Sequence, residues 1–155
     1  MTKRATRGNL TVAVTGHRAT VTLTRAELRK AFNDELIAEL TAAFAELGAR
    51  DDVRVIVLAA EGPAFCAGAD LNWMRRMADY GREENLADAG RLAAMLRAIH
   101  ACPKPTVARV HGDACAGGVG LVAACDLAVA AEMAGFCLSE VRLGLIPAII
   151  GPYVV

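Results

Sequence analysis

Ala64–Met74 reads AFCAGADLNWM and joins the apolar run VRVIVLAA to the start of a predicted helix. The turn consists mostly of small residues, with Gly68 near its middle, and it ends at Asp70, a residue type that caps helix N-termini. Small residues allow another atom to approach the backbone closely, and N–H groups at a helix start attract negative charge. The turn is therefore either merely tight or a place where the main chain itself binds a ligand.

A second turn of the same kind, HGDACAGGVG, occupies residues 111–120. Both turns contain Cys-Ala-Gly, at Cys66–Gly68 and at Cys115–Gly117, and each joins a predicted strand to a predicted helix. Two such turns can each direct an N–H group at a carbonyl oxygen that develops negative charge. Glycine turns before helices are common in α/β proteins, so the pattern alone assigns no function.

The hydrophobic periodicity predicts an α/β protein. Alternation over residues 9–15 and 19–24 predicts a β-hairpin, and helically spaced leucines and phenylalanines predict a helix from Arg25 to Leu47. The other predicted elements are, in chain order, strand Val53–Ala59, helix Leu71–Tyr80 with Asp70 as its N-cap, a helix that ends before Pro103, strand 106–110, helix 121–126 and strand 127–130. Residues 1–8 are predicted to be a flexible tail, and residues 9–155 a single domain.

Charge and cysteine content exclude several classes of protein. The 155 residues include 17 basic and 17 acidic ones, so no net field attracts nucleic acid or an anionic membrane. The five cysteines form no C-x-x-C pair, which argues against a disulfide framework or a zinc site. The chain shows neither a signal peptide nor an apolar stretch of membrane-spanning length. These features predict a cytoplasmic protein without a metal, a nucleic-acid partner or a membrane partner.

Three motifs resemble those of the enoyl-CoA hydratase/isomerase (crotonase) superfamily: FCAGADL, ACAGGVGLVAACDLAVAA and FCLSEVRLGLIP, in this order and at this spacing. The resemblance covers the chain from about residue 9. It implies a spiral of ββα repeats, of which residues 9–155 form the N-terminal core, with the family's C-terminal helical region absent here. It also implies an acyl-CoA substrate, no cofactor beyond the coenzyme A of that thioester, and a homotrimer or hexamer.

The same resemblance implies the residues of a catalytic site. The backbone N–H groups of Ala69 and Gly117 would form an oxyanion hole for the thioester oxygen, which explains the small side chains of both turns. Glu140 would be the general acid and base, in an apolar neighbourhood that suits proton transfer. Residues implied to contact substrate or coenzyme A are Arg29, Ala31, Ala67, Asp70, Leu71 and Gly118.

One position departs from the family's hydratase pattern, because Gly120 stands where a second glutamate is expected. A single glutamate suffices for double-bond isomerisation, whereas hydration needs another group, such as Asp113 or a substrate carboxylate, to hold water. A third alternative is a non-catalytic, truncated module that binds a partner. The ending SEVRLGLIPAIIGPYVV looks most like the branch with methylglutaconyl-CoA hydratases of leucine breakdown, which favours hydration of a 2-enoyl-CoA such as 3-methylglutaconyl-CoA.

Overall fold

The computed structural model describes residues 3–24 and 32–155, and its framework is a six-stranded sheet in the order β1-β2-β3-β4-β5-β7. The strands are β1 (Lys3–Arg7), β2 (Leu10–Thr15), β3 (Arg18–Leu23), β4 (Val55–Ala60), β5 (Thr106–Val110), β6 (Ala114–Cys115), β7 (Leu127–Ala130) and β8 (Phe136–Cys137). The helices are α1 (Asp34–Gly48), α2 (Leu71–Ala78), α3 (Arg82–His100), α4 (Gly117–Ala123) and α5 (Gly151–Val154), with a short 3-10 helix at Glu140–Leu143.

The sheet is antiparallel at one end and parallel over the rest. Strands β1, β2 and β3 pair antiparallel, and the predicted hairpin is confirmed by the register Leu10↔Leu23. Strands β4, β5 and β7 add in parallel through crossovers that contain the helices. The carboxyl ends of these parallel strands lie along one edge of the sheet, where loops of α/β proteins commonly form binding sites.

The N-terminal segment differs from the flexible tail predicted for residues 1–8. Lys3–Arg7 forms strand β1, whose backbone pairs with β2 over five residues. The Arg7 guanidinium also contacts the carboxylate of Glu46 on α1. Backbone pairing with a neighbouring strand therefore orders a polar segment that has no apolar run of its own.

Helix α1 begins later than the predicted Arg25. Asn33 has extended backbone angles and caps the helix, because its side chain accepts a hydrogen bond from the N–H of Leu36 at 3.0 Å. Phe32, which the predicted helix included, forms an isolated bridge to Ala69 and is not helical. The rest of the predicted start, 25–31, lies outside the described residues.

A single hydrophobic core fills the space between the sheet and the helices. The leucine and phenylalanine stripe of α1 is buried, as are the inward faces of β2, β3 and β4 and the last turns of α3. The predicted helix capped by Asp70 is confirmed as α2, whose cap accepts hydrogen bonds from the N–H groups of Asn72 and Trp73. Within the described ranges, none of the helices has the length and apolarity needed to cross a membrane.

Asp126 connects strand β5 to the start of β7. Its carboxylate accepts hydrogen bonds from the Thr106 N–H at 2.7 Å and from the Thr106 hydroxyl at 2.8 Å. The backbone bond lowers the pKa of Asp126 below its usual value, and the hydroxyl bond adds to this effect. The carboxylate therefore stabilises the fold above its ordinary pKa of about 4, and this contribution is lost as pH falls through the lower folded value.

Replacement of Asp126 by asparagine should remove this pH-dependent contribution. We expect the variant to lose about 1 kcal/mol at pH 7, because the bond is charge-assisted but exposed to solvent. Its stability should also fall less than that of the wild type between about pH 5 and pH 2. Urea unfolding at several pH values would check this, with Asp51→Asn as an exposed control; parallel pH curves for wild type and Asp126→Asn would contradict it.

Candidate active site

A small second layer of extended segments brings the two glycine turns together. Phe32 pairs with the first turn, since its N–H donates to the Gly68 carbonyl at 2.7 Å and its carbonyl accepts from the Asp70 N–H at 2.8 Å. The first glycine turn also pairs with the second one, because the Cys115 N–H donates a hydrogen bond to the Cys66 carbonyl at 2.9 Å. The positions of both turns are therefore set by backbone hydrogen bonds, which place no demand on side chains.

Glycine is required where the two turns touch. Gly68 has a φ of +92°, and a Cβ there would lie 2.9 Å from Ala116 Cβ and 3.3 Å from the backbone nitrogen of Gly117. A Cβ on Gly117 would lie 2.5 Å from the ring of Phe32, and one on Gly118 would lie 2.5 Å from the Cys66 carbonyl oxygen. The small residues of both turns are thus necessary for the close approach of one backbone to the other.

Two backbone N–H groups at this junction have no acceptor among the described residues: those of Ala69 and Gly117. Both neighbours of Ala69 bond to Phe32, and because backbone groups alternate along an extended segment, the N–H of Ala69 points to the opposite side. Gly117 is the first residue of α4, so its N–H has no partner within the helix. Ala116, just before it, has a φ of +48°, an unusual conformation for a residue with a Cβ.

A cavity of about 760 Å³ opens beside this junction, with an apolar wall for the most part. It is lined by Phe32, Ala67, Ala69, Asp70, Leu71, Asn72, Met74, Arg75, Leu92, Ala116, Gly117, Ser139, Glu140, Arg142, Leu143 and the segment 145–150. Of the residues that the sequence singled out, six lie in this wall: Ala67, Ala69, Asp70, Leu71, Gly117 and Glu140. Residues far apart in the sequence therefore share one cavity of a size that suits a small organic group.

Among the titratable side chains that line the cavity, Glu140 is the one with a buried atom that lacks a hydrogen-bond partner in the described part of the chain. It begins the 3-10 helix Glu140–Leu143, and the loop that follows is closed by a hydrogen bond from the Leu145 N–H to the Glu140 carbonyl. Its Oε2 is buried and has no hydrogen-bond partner among the described residues, and Arg142 makes no described ion pair with it. Burying a carboxylate oxygen that accepts no hydrogen bond costs free energy, unless a ligand or a water molecule donates a hydrogen bond to it.

The other predicted binding residues differ in their position relative to the cavity. Ala67 and Leu71 line the cavity. Asp70 also lines it, but its carboxylate already accepts hydrogen bonds as the N-cap of α2. Gly118 does not line the cavity, and a Cβ on it would meet the Cys66 carbonyl oxygen. Arg29 and Ala31 lie outside the described residues.

The position of the missing glutamate is physically filled. Gly120 is buried in α4, and a Cβ there would lie 2.3 Å from Cγ2 of Ile150. Ile150 is 4% exposed, and the segment that carries it is held further by an edge-to-face contact between Tyr153 and His100, with ring centroids 5.3 Å apart. The apolar ending of the sequence therefore closes the space that a side chain at position 120 would need.

Gly120→Glu should consequently destabilise the protein rather than supply a second carboxylate. Overpacking against Ile150 and burial of a charge should together cost about 3 kcal/mol or more. Thermal unfolding would measure this loss, and the double variant Gly120→Glu/Ile150→Ala should recover part of it. Gly151→Glu is the matched control, since a Cβ on Gly151 meets nothing within 4 Å. Equal melting temperatures for Gly120→Glu and Gly151→Glu would contradict the packing argument.

Asp113, the candidate named above for holding water, does not line this cavity. Its carboxylate accepts a hydrogen bond from the Gly135 N–H at 2.9 Å, and it is absent from the residues that line the cavity. Asp113 instead connects β6 to the loop before β8. Across the described ranges, 3–24 and 32–155, no group of three or more metal-ligating side chains is present.

Several parts of the cavity wall were not predicted from the sequence, among them Phe32, Leu92 and the segment 145–150. Phe32 was assigned to a helix because it fits the apolar stripe of α1, and nothing in the sequence signals its bridge to Ala69. Leu92 fits an ordinary core position of α3. The segment 145–150 carries no charge, and that signal could have indicated a buried wall.

Comparison with known proteins shows which proteins this chain is related to. A sequence profile of the enoyl-CoA hydratase/isomerase family matches residues 16–155. A Thermus thermophilus protein assigned as an enoyl-CoA hydratase is 41% identical over 135 residues, which cover 87% of this chain and 53% of that protein. The enoyl-CoA hydratase ACTT6 of Alternaria alternata is 40% identical, over 87% of this chain and 43% of the relative.

Solved structures agree with the sequence comparison. An enoyl-CoA hydratase from Shewanella pealeana superimposes with a TM-score of 0.91 at 42% identity, over 94% of this chain and 55% of that one. An enoyl-CoA hydratase from Mycobacterium smegmatis gives a TM-score of 0.84 at 37% identity, over 99% of this chain and 56% of that one. The chain thus spans about half the length of these relatives. With this fold, these paired turns and a profile match over most of its length, the chain belongs to the enoyl-CoA hydratase/isomerase family.

Proposed function

We propose that this protein hydrates a 2-enoyl-CoA, with the N–H groups of Ala69 and Gly117 as an oxyanion hole and Glu140 as the acid and base. The observation that carries the proposal is that Glu140, with a buried oxygen lacking a partner, lines the same cavity as these two N–H groups. Two donors that stabilise a developing oxyanion, beside one carboxylate that moves a proton, are the groups that this chemistry requires.

In the proposed reaction, the thioester oxygen accepts hydrogen bonds from the two N–H groups. Water adds to the β carbon, the electron pair of the double bond moves toward the thioester oxygen, and the Glu140 carboxylate accepts the proton of the water. Glu140 then delivers that proton to the α carbon and returns to its ionised form. The two N–H groups favour the enolate because they are fixed by the backbone and need no reorganisation.

The proposed substrate is an acyl-CoA whose acyl chain carries a carboxylate, such as 3-methylglutaconyl-CoA. Support comes from Arg75 and Arg142, two guanidinium groups in the cavity wall that make no described ion pair. Arginine is well suited to pair with a carboxylate. A homotrimeric or hexameric assembly and a cytoplasmic location stay predictions that accompany this proposal.

Double-bond isomerisation is the second candidate, and the filled position at Gly120 favours it. Shuttling a proton between two carbons needs one carboxylate, whereas holding a water molecule commonly uses two. Isomerisation would use the same oxyanion hole and the same Glu140. The two candidates differ in the substrate, a 2-enoyl-CoA or a 3-enoyl-CoA, and in whether water adds to it.

Assays of the purified chain with three thioesters separate the candidates. Crotonyl-CoA and 3-methylglutaconyl-CoA would report hydration through loss of the conjugated thioester absorbance, and 3-hexenoyl-CoA would report isomerisation through its gain. We expect hydration, faster with the carboxylated substrate. Isomerisation without water addition would support the second candidate, and binding of all three thioesters without turnover would support a non-catalytic module.

A further inference from the structure

The cavity beside the two glycine turns has an exposed side and a buried side. Four apolar residues of its wall are between 48% and 79% exposed and mark the open side: Leu71, Leu143, Leu145 and Ile146. Ile150 lines the same cavity but is only 4% exposed, and the lining residue Phe32 is buried as well. The side chain of Ile150 therefore belongs to the inner wall, which a bound acyl group can contact although little of it is open to solvent.

Contacts on two sides hold Ile150 in this wall. Its Cγ2 lies 2.3 Å from the position that a Cβ on Gly120 would take, so no space is left between Ile150 and the backbone of α4. The Ile150 carbonyl accepts a hydrogen bond from the Tyr153 N–H at 3.0 Å, and the Tyr153 ring packs against His100 of α3. Ile150 therefore forms a fixed surface, because it cannot move toward α4 to make room for a larger ligand.

The position of Ile150 is close to the proposed oxyanion hole. Gly117 provides one proposed donor, and Gly120, which Ile150 covers, is three residues further along α4, a spacing of about 5–6 Å between Cβ positions on one helix face. In an enoyl thioester the β carbon is three bonds from the carbonyl oxygen, so it lies about 3–4 Å from that oxygen, and a group on it extends about 1.5 Å further. A substituent on the β carbon therefore reaches as far from the oxyanion hole as Ile150 does.

The chemistry of the wall differs between its buried and its exposed side. Ile149 and Ile150 are apolar, whereas the guanidinium groups in the wall belong to Arg75 and Arg142, both exposed residues. An apolar substituent gains free energy when it is buried against Ile150, but a carboxylate there would lose its hydration without gaining a donor. The two substituents of a branched β carbon therefore have different favourable positions, the apolar one inside and the charged one outside.

We propose that Ile150 is a specificity-determining residue for the β carbon of the substrate. It contacts an apolar substituent of about the size of a methyl group and excludes a larger or a charged one. The inference rests on the proposed function and deepens it, because it names acyl-CoA thioesters with a methyl branch at the β carbon as the substrate class. One methylene group in a closed apolar pocket changes the discrimination between two ligands by about 10- to 200-fold.

Calorimetry with two saturated thioesters tests this role without turnover. Isovaleryl-CoA has two methyl groups on its β carbon and 3-ethylpentanoyl-CoA has two ethyl groups, so the comparison is the same whichever substituent meets Ile150. The wild-type chain should bind isovaleryl-CoA about 10-fold more tightly. Ile150→Ala opens space for the additional methylene group, so it should shift the ratio of the two dissociation constants by about 10-fold or more in favour of 3-ethylpentanoyl-CoA.

Ile99→Ala is the matched control, because Ile99 is also a buried isoleucine but is not among the residues that line the cavity. Loss of packing should lower its melting temperature as it does in Ile150→Ala, whereas its ratio should equal that of the wild type. Ile150→Val, a smaller change that folds more readily, should give an intermediate ratio. A wild-type ratio in a folded Ile150 variant would overturn the proposal, as would an equal shift in Ile99→Ala.

A parallel assay of crotonyl-CoA hydration keeps this result separate from the proposed function. The expected ratios without hydration would contradict the proposed function and support the role of Ile150 in binding. Hydration together with a ratio that Ile150→Ala leaves unchanged would contradict the role of Ile150 alone. Failure of the wild-type chain to bind either thioester would contradict both.

Discussion

Gly117→Val should reduce turnover of an enoyl-CoA by at least 100- to 1,000-fold, the typical cost of losing one oxyanion-hole donor. The valine would remove no side-chain chemistry, because the proposed donor is a main-chain N–H. Its Cβ would lie 2.5 Å from the Phe32 ring, so either the ring or the start of α4 must move. Steady-state kinetics with crotonyl-CoA would measure the loss, and circular dichroism would confirm that the variant is folded.

Gly90→Ala is the matched control for this variant. Gly90 lies inside α3 and a Cβ there meets nothing within 4 Å, so the added methyl group should leave turnover unchanged. It should also stabilise the protein by about 0.5–1 kcal/mol, since alanine favours a helix interior over glycine. A folded Gly117→Val variant with wild-type turnover would show that the second turn provides no oxyanion donor.

Glu140→Gln should reduce turnover by a similar factor, because it removes the proton acceptor rather than an oxyanion donor. The amide has the shape of the carboxylate but cannot accept a proton, so kcat should fall about 100- to 10,000-fold. Binding of butyryl-CoA should change little, because the contacts of the two turns remain. Kinetics and calorimetry on the same preparation would separate these quantities.

The exposed Glu132, which lies in the same part of the chain, supplies the control for Glu140. Glu132→Gln should retain wild-type kinetics, since Glu132 is not among the residues that line the cavity. Retention of hydration by Glu140→Gln would remove Glu140 from the mechanism.

The strands β2, β3, β4, β5 and β7, the helices α2 and α3, and the two glycine turns could be predicted from the sequence because their signals are local. Alternation identified the hairpin of β2 and β3, and a small residue followed by Asp70 identified the start of α2. The motifs around Ala69, Gly117 and Glu140 identified residues that do line one cavity, although their separation in sequence is large. Their catalytic roles rest on the experiments above.

What sequence reasoning missed depends on contacts between distant residues. The start of α1 was placed too early because Phe32 continues an apolar stripe, while its backbone pairs with Ala69. Gly118 was expected to contact substrate, but a neighbouring carbonyl group occupies that side of it. The burial of Asp88 could not be foreseen, because an aspartate on a polar helix is exposed in most proteins.

Phe32 connects the two glycine turns of the site. Its main chain holds the first turn through hydrogen bonds to Gly68 and Asp70, and its ring abuts Gly117 at the start of the second. One residue thus contacts both turns, the first through its main chain and the second through its ring. A smaller side chain at position 32 would keep the backbone pairing with the first turn but would remove the ring that packs against the start of α4.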